Sequence, residues 1–359
     1  MRMKKRKRGT AAIIATVSMI WFAAIIHGQQ TSGAFKVFPR PEQGSKPEKQ
    51  MFAPAYFVGG VEENGWLQVK DGKLCNEAGD PFQLCGMSSH GLSWFPEYTS
   101  VEAIGGTLAQ GANLFRVAMY VGDEPGQYTA NPQEQQQNMQ ALTQAVDNTL
   151  SLNMYAIADW HILEDGNPLN RLEDALVFFD ELSGIYKDQP GVIYEICNEP
   201  NGDTTWEDIR AYAGQVIPVI RNNSPKAVII VGTPKFSSDL SAVAEHPVPH
   251  ENILYAYHYY TGGKGGFSSV LGRARAKGVP VFVSEWGIGD GTKVTQDDEL
   301  LAKEFIAYMR DNDLSWAAWS LCNKDESYSA LLPETKKMGN WEEDDLSTSG
   351  KIIFAGFRE

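Results

Sequence analysis

VIYEICNEPNG, residues 192–202, and VFVSEWGIGDG, residues 281–291, are built alike: a short, almost unbroken apolar run followed at once by a polar end that carries a glutamate, Glu199 and Glu285. Runs of this kind are the mark of strands buried on both faces, as in a parallel sheet covered by helices. Six further runs share the pattern, so the predicted strands are Gln83–Met87, Leu114–Ala118, Tyr155–Asp159, Val192–Ile196, Val228–Val231, Ile253–His258, Val281–Ser284 and Ser315–Trp319. Helical segments separate them: Ser100–Gly111, Asn131–Leu152, Leu172–Lys187, Trp206–Asn222, Ser237–Ala244, Phe267–Lys277 and Gln296–Asn312. Eight strand and helix units without a break in composition predict an α/β fold, a single closed (β/α)8 TIM barrel. An open doubly wound sheet would alternate similarly, but the turn after the first strand has neither GxGxxG nor GxxxxGK[ST]. LCNEAGDPFQL, residues 74–84, reads as a short N-terminal hairpin with Cys75 opposite Phe82, leading into the first strand and covering the barrel bottom.

Polar and aromatic residues gather where the runs end: Ser88, Ser89 and His90; Arg116 and Tyr120; Asp159, Trp160 and His161; Asn198 and Glu199; His258, Tyr259 and Tyr260; Glu285 and Trp286; Trp319. Loops from all eight strands of such a barrel converge at the C-terminal face, where chemistry is built. One such residue alone is explained by capping or loop anchoring; seven strands of eight ending this way are not. Two glutamates on that face form a candidate carboxylate pair. Glycoside hydrolysis needs such a pair, one group protonating the leaving oxygen and the other acting across the sugar ring.

The 359 residues are 43% hydrophobic and 21% charged, the composition of a globular protein with room for one large domain. The net charge is −14, although Arg2, Lys4, Lys5, Arg6, Lys7 and Arg8 place six cations and no acid in the first thirty residues. The remainder is more acidic still and would repel phosphate backbones, which excludes nucleic acid as a partner. After the basic cluster, Ala11 to Ile26 is apolar except for Thr16 and Ser18, the pattern of a secretory signal peptide or an uncleaved signal anchor over residues 1–30. Residues 31–60, with QGSKPEKQ, read as a linker, and residues 61–359 as the catalytic domain. A secreted or cell-surface location follows, with a membrane tether if the segment is kept. Cys75, Cys85, Cys197 and Cys322 are too few for a disulfide scaffold, show no metal spacing and are expected as buried thiols. Cys197 and Cys322 both stand near the polar face and could bond or be oxidised if they approached each other.

Seven motifs in order resemble the glycoside hydrolase family 5 cellulases, in particular the bacterial endo-β-1,4-glucanases: GMSSHGLSWF (86–95), RVAMY (116–120), DWHIL (159–163), YEICNEPNG (194–202), YAYHYY (255–260), VSEWGIGDG (283–291) and WSLCNKDES (319–327). The resemblance implies that Glu199 is the general acid/base and Glu285 the nucleophile of a retaining double displacement. It implies further that Arg116 is the guanidinium near the nucleophile, that His258 and Tyr260 orient the carboxylates, and that Asn198 meets the sugar 2-hydroxyl. For binding it implies Trp319 and Trp94 as stacking platforms, His161 and Tyr120 in the same pocket, and His90, Lys324 and Glu326 as grips on sugar hydroxyls. A carboxyl beside an ionised partner is pushed towards its protonated form, whereas one beside a guanidinium stays ionised, which suits these two roles. The expected protein is a monomer acting on a β-glucan polysaccharide without metal or cofactor. Two other readings fit the same chain: the same barrel acting on xyloglucan, mannan or xylan, and a membrane-tethered glucan-binding protein without catalysis. Lys336–Asp345 reads as solvated surface.

Overall fold

A computed structural model describes residues 59–263 and 265–358; the expected signal segment and nearly all of the linker lie outside the described residues. The chain runs α1 (Val61–Asn64), β1 (Gln68–Lys70), β2 (Lys73–Cys75), β3 (Cys85–Ser89), α2 (Val101–Gln110), β4 (Leu114–Tyr120), α3 (Pro132–Ser151), β5 (Tyr155–His161), α4 (Leu172–Ile185) and β6 (Val192–Glu195). It continues through α5 (Trp206–Asn223), β7 (Ile229–Val231), α6 (Pro234–Ser237), β8 (Ile253–Tyr260), α7 (Phe267–Ala276), β9 (Val281–Gly287), α8 (Gln296–Asp311), β10 (Trp316–Leu321) and α9 (Thr348–Gly356). Strands β3 to β10 pair in parallel around a closed ring in which β10 returns to β3. This is the (β/α)8 barrel that the apolar runs predict.

Several strands run about two residues beyond their predicted ends, because the polar residues there remain in the ladder: Tyr120 pairs with His161, and Tyr260 with Gly287. Helix starts follow from capping. Thr205 and Asp208 close a reciprocal box at α5, as do Thr295 and Asp298 at α8, satisfying backbone donors that a bare terminus leaves open.

The helix predicted over Ser237–Ala244 does not form. Lys235, Phe236 and Ser237 instead take left-handed backbone angles, with φ of 59, 58 and 52°. Asp239 Oδ1 accepts from the Ser241 backbone N–H at 3.0 Å, a local bond that competes with a helical turn. The Ser237 hydroxyl donates to the Asn198 carbonyl at 2.6 Å, tying this turn to the end of β6.

Inside the barrel, the floor is one apolar cluster in which Leu67, Leu74, Phe82 and Leu84 meet Leu114, Ile157, Ile193 and Phe282 from the strands. The first four come from the segment around β1 and β2, which turns at Asp71 and Gly72 and covers the bottom. Each such fully buried side chain contributes roughly 1.5–3 kcal/mol. The register there differs from expectation: Cys75 opposes Pro81, not Phe82, while the Phe82 N–H donates to the Leu74 carbonyl. A second, larger cluster lies between strands and helices and takes in Trp206, Trp286 and Trp316. Trp341 joins it too, so the stretch read as solvated surface is anchored by a buried indole.

Candidate active site

Side chains alternate along a strand. Leu114, Ile157 and Ile193 lie in the floor cluster, so Arg116, Asp159 and Glu195, each two residues on, point inward one layer higher. All three are completely buried. Arg116 is the hub of this layer. Its Nη1 donates to Glu285 Oε2 (2.9 Å), its Nε to Glu195 Oε2 (2.7 Å) and its Nη2 to Asn198 Oδ1 (2.7 Å), and Nη2 also lies 2.9 Å from Asp159 Oδ2. Removing so many buried charges from water is costly unless they are paired, and here the fork of one guanidinium pairs three carboxylates.

The two glutamates face one another above this layer. The Tyr260 hydroxyl donates to Glu285 Oε1 at 2.6 Å, and His258 Nδ1 lies 2.8 Å from Glu199 Oε1. Oxygens of Glu199 and Glu285 and a nitrogen of His258 all fall within 4.8 Å of one another. Burial pushes the Glu199 carboxyl above its ordinary value, and the charge of Glu285 adds to this against the hydrogen bond from His258. Burial alone would raise Glu285 as well, but His258, Arg116 and the Tyr260 hydroxyl hold it below the usual range. Similar residues in one pocket are thus driven apart, one towards the acid and one towards the anion.

His258 itself is pushed up to about 9: burial opposes its charge, and Glu195 and Glu199 outweigh that. His161 goes the other way, to about 3, through burial and the nearby Arg116 charge. A neutral His161 that donates from Nδ1 to Asp159 Oδ2 (2.6 Å) has its Nε2 lone pair facing the Asn198 amide nitrogen at 3.3 Å. That amide also donates to the Ile162 carbonyl at 3.2 Å, so Asn198 is held at both ends.

One side of the glutamate pair is an aromatic wall. Trp319 stacks on His161 with centroids 5.4 Å apart and lies 5.2 Å from His90, while Trp94, 46% exposed, meets Tyr120 edge-on at 4.6 Å. Below Trp319, Lys324 Nζ sits 2.7 Å from Glu326 Oε2 and 3.3 Å from His90 Nε2, and His90 Nδ1 is 3.0 Å from the Ser320 hydroxyl. Every residue named from the sequence as catalytic or binding therefore lies on this one face. Trp206, Trp286 and Trp316 do not; they are buried packing residues. Cys197 and Cys322 are both free, and Cys322 Sγ lies 3.2 Å from the Ser329 hydroxyl instead of meeting Cys197. His90, Cys322 and Glu326 also bring ligand-type atoms within 4.8 Å, but the Lys324 ammonium is already seated against Glu326, as Arg116 is against Glu285.

Asp159 and Glu195, read from the sequence as inward-pointing supporting polar residues, do point inward and both meet Arg116; Ser284 and Phe236 were not singled out. Phe236, 49% exposed, donates its N–H to the carbonyl of Pro200, the residue after Glu199; nothing local in the sequence signals that contact.

The sequence profile described as Cellulase (glycosyl hydrolase family 5) matches residues 75–325. The chain belongs to glycosyl hydrolase family 5. Its family 5 relatives include an endoglucanase of Clostridium saccharobutylicum, 39% identical over 80% of this chain and 64% of that protein, and endoglucanase N of Pectobacterium atrosepticum, 40% identical over 82% and 65%. The chain thus spans just under two thirds of the length of these curated relatives. Among solved structures, the cellulase Cel5C_n superposes with a TM-score of 0.78 at 36% identity, covering 86% of this chain and 95% of that one. The catalytic domain of Thermobifida fusca endoglucanase Cel5A does so with a TM-score of 0.75 at 33% identity, over 83% and 99%.

Proposed function

We propose that the protein is a retaining endo-β-1,4-glucanase that hydrolyses internal bonds of cellulose or related β-glucans. The observation that carries this reading is the separation of the Glu199 and Glu285 carboxylates, whose oxygens come within 4.8 Å. Retaining glycosidases hold their carboxyls roughly 5 Å apart, whereas an inverting pair leaves a gap of about 6.5–9.5 Å for a water. The endoglucanase names of the relatives support the substrate class.

Glu285, kept ionised by Arg116 and aimed by Tyr260, attacks the anomeric carbon while Glu199 gives its proton to the departing oxygen. Once Glu285 is an ester its charge is gone, and with it one cause of the raised Glu199 value. Glu199 then takes a proton from the incoming water, and the ester opens with the original configuration restored. Asn198, fixed by Arg116, exchanges its long contact to His161 for the sugar 2-hydroxyl, a bond that strengthens as charge develops on the ring. Trp319 and Trp94 take the apolar faces of successive sugars, with Tyr120 and His161 behind them and His90, Lys324 and Glu326 reaching hydroxyls. The N-terminal basic cluster and apolar run support export, with a tether to the membrane if the run is retained; no described helix is long and apolar enough to cross a membrane. We take the acting species as a monomer.

The test is reducing-sugar release from carboxymethyl cellulose, with product sizing, beside a panel of mixed-linkage glucan, xyloglucan, mannan and xylan. Glu199→Gln and Glu285→Gln should each lose more than about a thousandfold in rate, a range typical of removing one member of a catalytic pair. Full activity in either variant, or preference for a polymer other than a β-1,4-glucan, contradicts the proposal.

A further inference from the structure

Below the two glutamates lies a third carboxylate that the chemistry above leaves unused. Glu195 is the last residue of β6 and wholly buried. Its Oε2 accepts from Arg116 Nε at 2.7 Å, while its Oε1 is buried without a hydrogen-bond partner and lies 3.9 Å from His258 Nε2. Arg116 is the cation on the nucleophile and His258 the group on the acid/base. One carboxylate therefore spans the supports of both.

We propose that Glu195 is a positioning residue that holds His258 as an imidazolium against Glu199 while fixing the Arg116 fork against Glu285, so that one buried charge sets both carboxyls. The inference rests on the retaining reading of the pair. Arg116 and His258 are the two basic groups that support the glutamate pair, and Glu195 reaches both, 2.7 Å from Arg116 Nε and 3.9 Å from His258 Nε2. Of the other groups around His258, the Ser284 hydroxyl, 3.0 Å from Nε2, is neutral, the ring of His161 is uncharged, and the Glu285 carboxylate, within 4.8 Å of a His258 nitrogen, adds to its charge but is itself engaged by Arg116 and Tyr260. When Glu199 gives its proton to the leaving oxygen, the new carboxylate finds an imidazolium 2.8 Å away. No proton leaves His258 in this step; it supplies charge and direction only.

Glu195→Gln keeps the shape and removes the negative charge that faces His258 Nε2. The His258 proton is then lost more readily. Nitrogen-15 spectra of the imidazole, recorded through a pH titration without substrate, read this directly. The expected wild-type midpoint is near 9, and Glu195→Gln should lower it by at least about one unit, the size of a single strong charge interaction. Glu195→Asp, which keeps the charge, should stay above the ordinary 6.5. In turnover, Glu195→Gln should lose roughly 10- to 100-fold in kcat with KM changed less than about threefold, since it misaligns reacting groups without touching sugar. An unmoved midpoint in Glu195→Gln overturns the proposal, whatever its activity. If no Glu195 variant folds, a wild-type midpoint at or below 6.5 does so instead. Because the spectra need no sugar, failure of this inference is separable from failure of the glucanase reading, which the polysaccharide panel alone decides.

Discussion

Replacing Tyr260 by Phe removes one oxygen from the site and little else. The ring is held flat against Gly287, where a Cβ would come within 2.5 Å of it, and packs edge-on against Tyr328 at 4.7 Å, so Phe keeps the same place. What is lost is the 2.6 Å hydrogen bond to Glu285 Oε1. A hydrogen bond to a charged group is worth about 1.5–3 kcal/mol, which corresponds to roughly 10- to 150-fold in rate if it is needed to aim the nucleophile. The same energy is about one to two pKa units. Glu285 sits below its ordinary value in part because of this bond, and catalysis needs it ionised, so the acid limb of the kcat/KM profile should move to higher pH in Tyr260→Phe. Initial rates on an aryl cellobioside across the acid range measure both effects. An unmoved acid limb together with a rate loss below about threefold would refute the assignment of Tyr260 to the nucleophile.

Trp94→Ala should raise KM for cello-oligosaccharides about 2- to 10-fold, the worth of one stacking contact, and leave the melting temperature unchanged because the indole is 46% exposed. Phe82→Ala opens a hole in the barrel floor and should cost about 3–5 kcal/mol in denaturant unfolding while leaving KM alone. Stability should also fall on the alkaline side. His258 is raised in the folded protein, so its contribution is complete below about 6.5 and is lost as pH rises through about 9, an effect of order 3 kcal/mol visible as a falling Tm over that window.

The barrel was readable because its strands are buried on both faces and so appear as unbroken apolar runs; all eight were found where they lie. Their ends were less legible, since residues such as His161 and Tyr260 are polar by composition yet still paired in the sheet. The turn at Lys235 to Ser237 was missed because three residues in left-handed conformation, none of them glycine, are held by contacts distant in sequence, including the Ser237 bond to Asn198. The hairpin register slipped by one residue at Pro81, where a turn was visible but its pairing was not. At the site, the glutamates and their partners were legible from motifs. The layer beneath them was legible only as far as Asp159 and Glu195 pointing inward as supporting polar residues; that both meet the Arg116 guanidinium was not, because only the closed barrel brings them together.

The central claim is that Glu285 attacks the sugar while Glu199, within 4.8 Å, serves first as acid and then as base. Proton NMR of the products during the first minutes of cellopentaose hydrolysis, before mutarotation mixes the anomers, tests it most directly. The β-anomer should appear first; the α-anomer appearing first would mean inversion and rule out the double displacement.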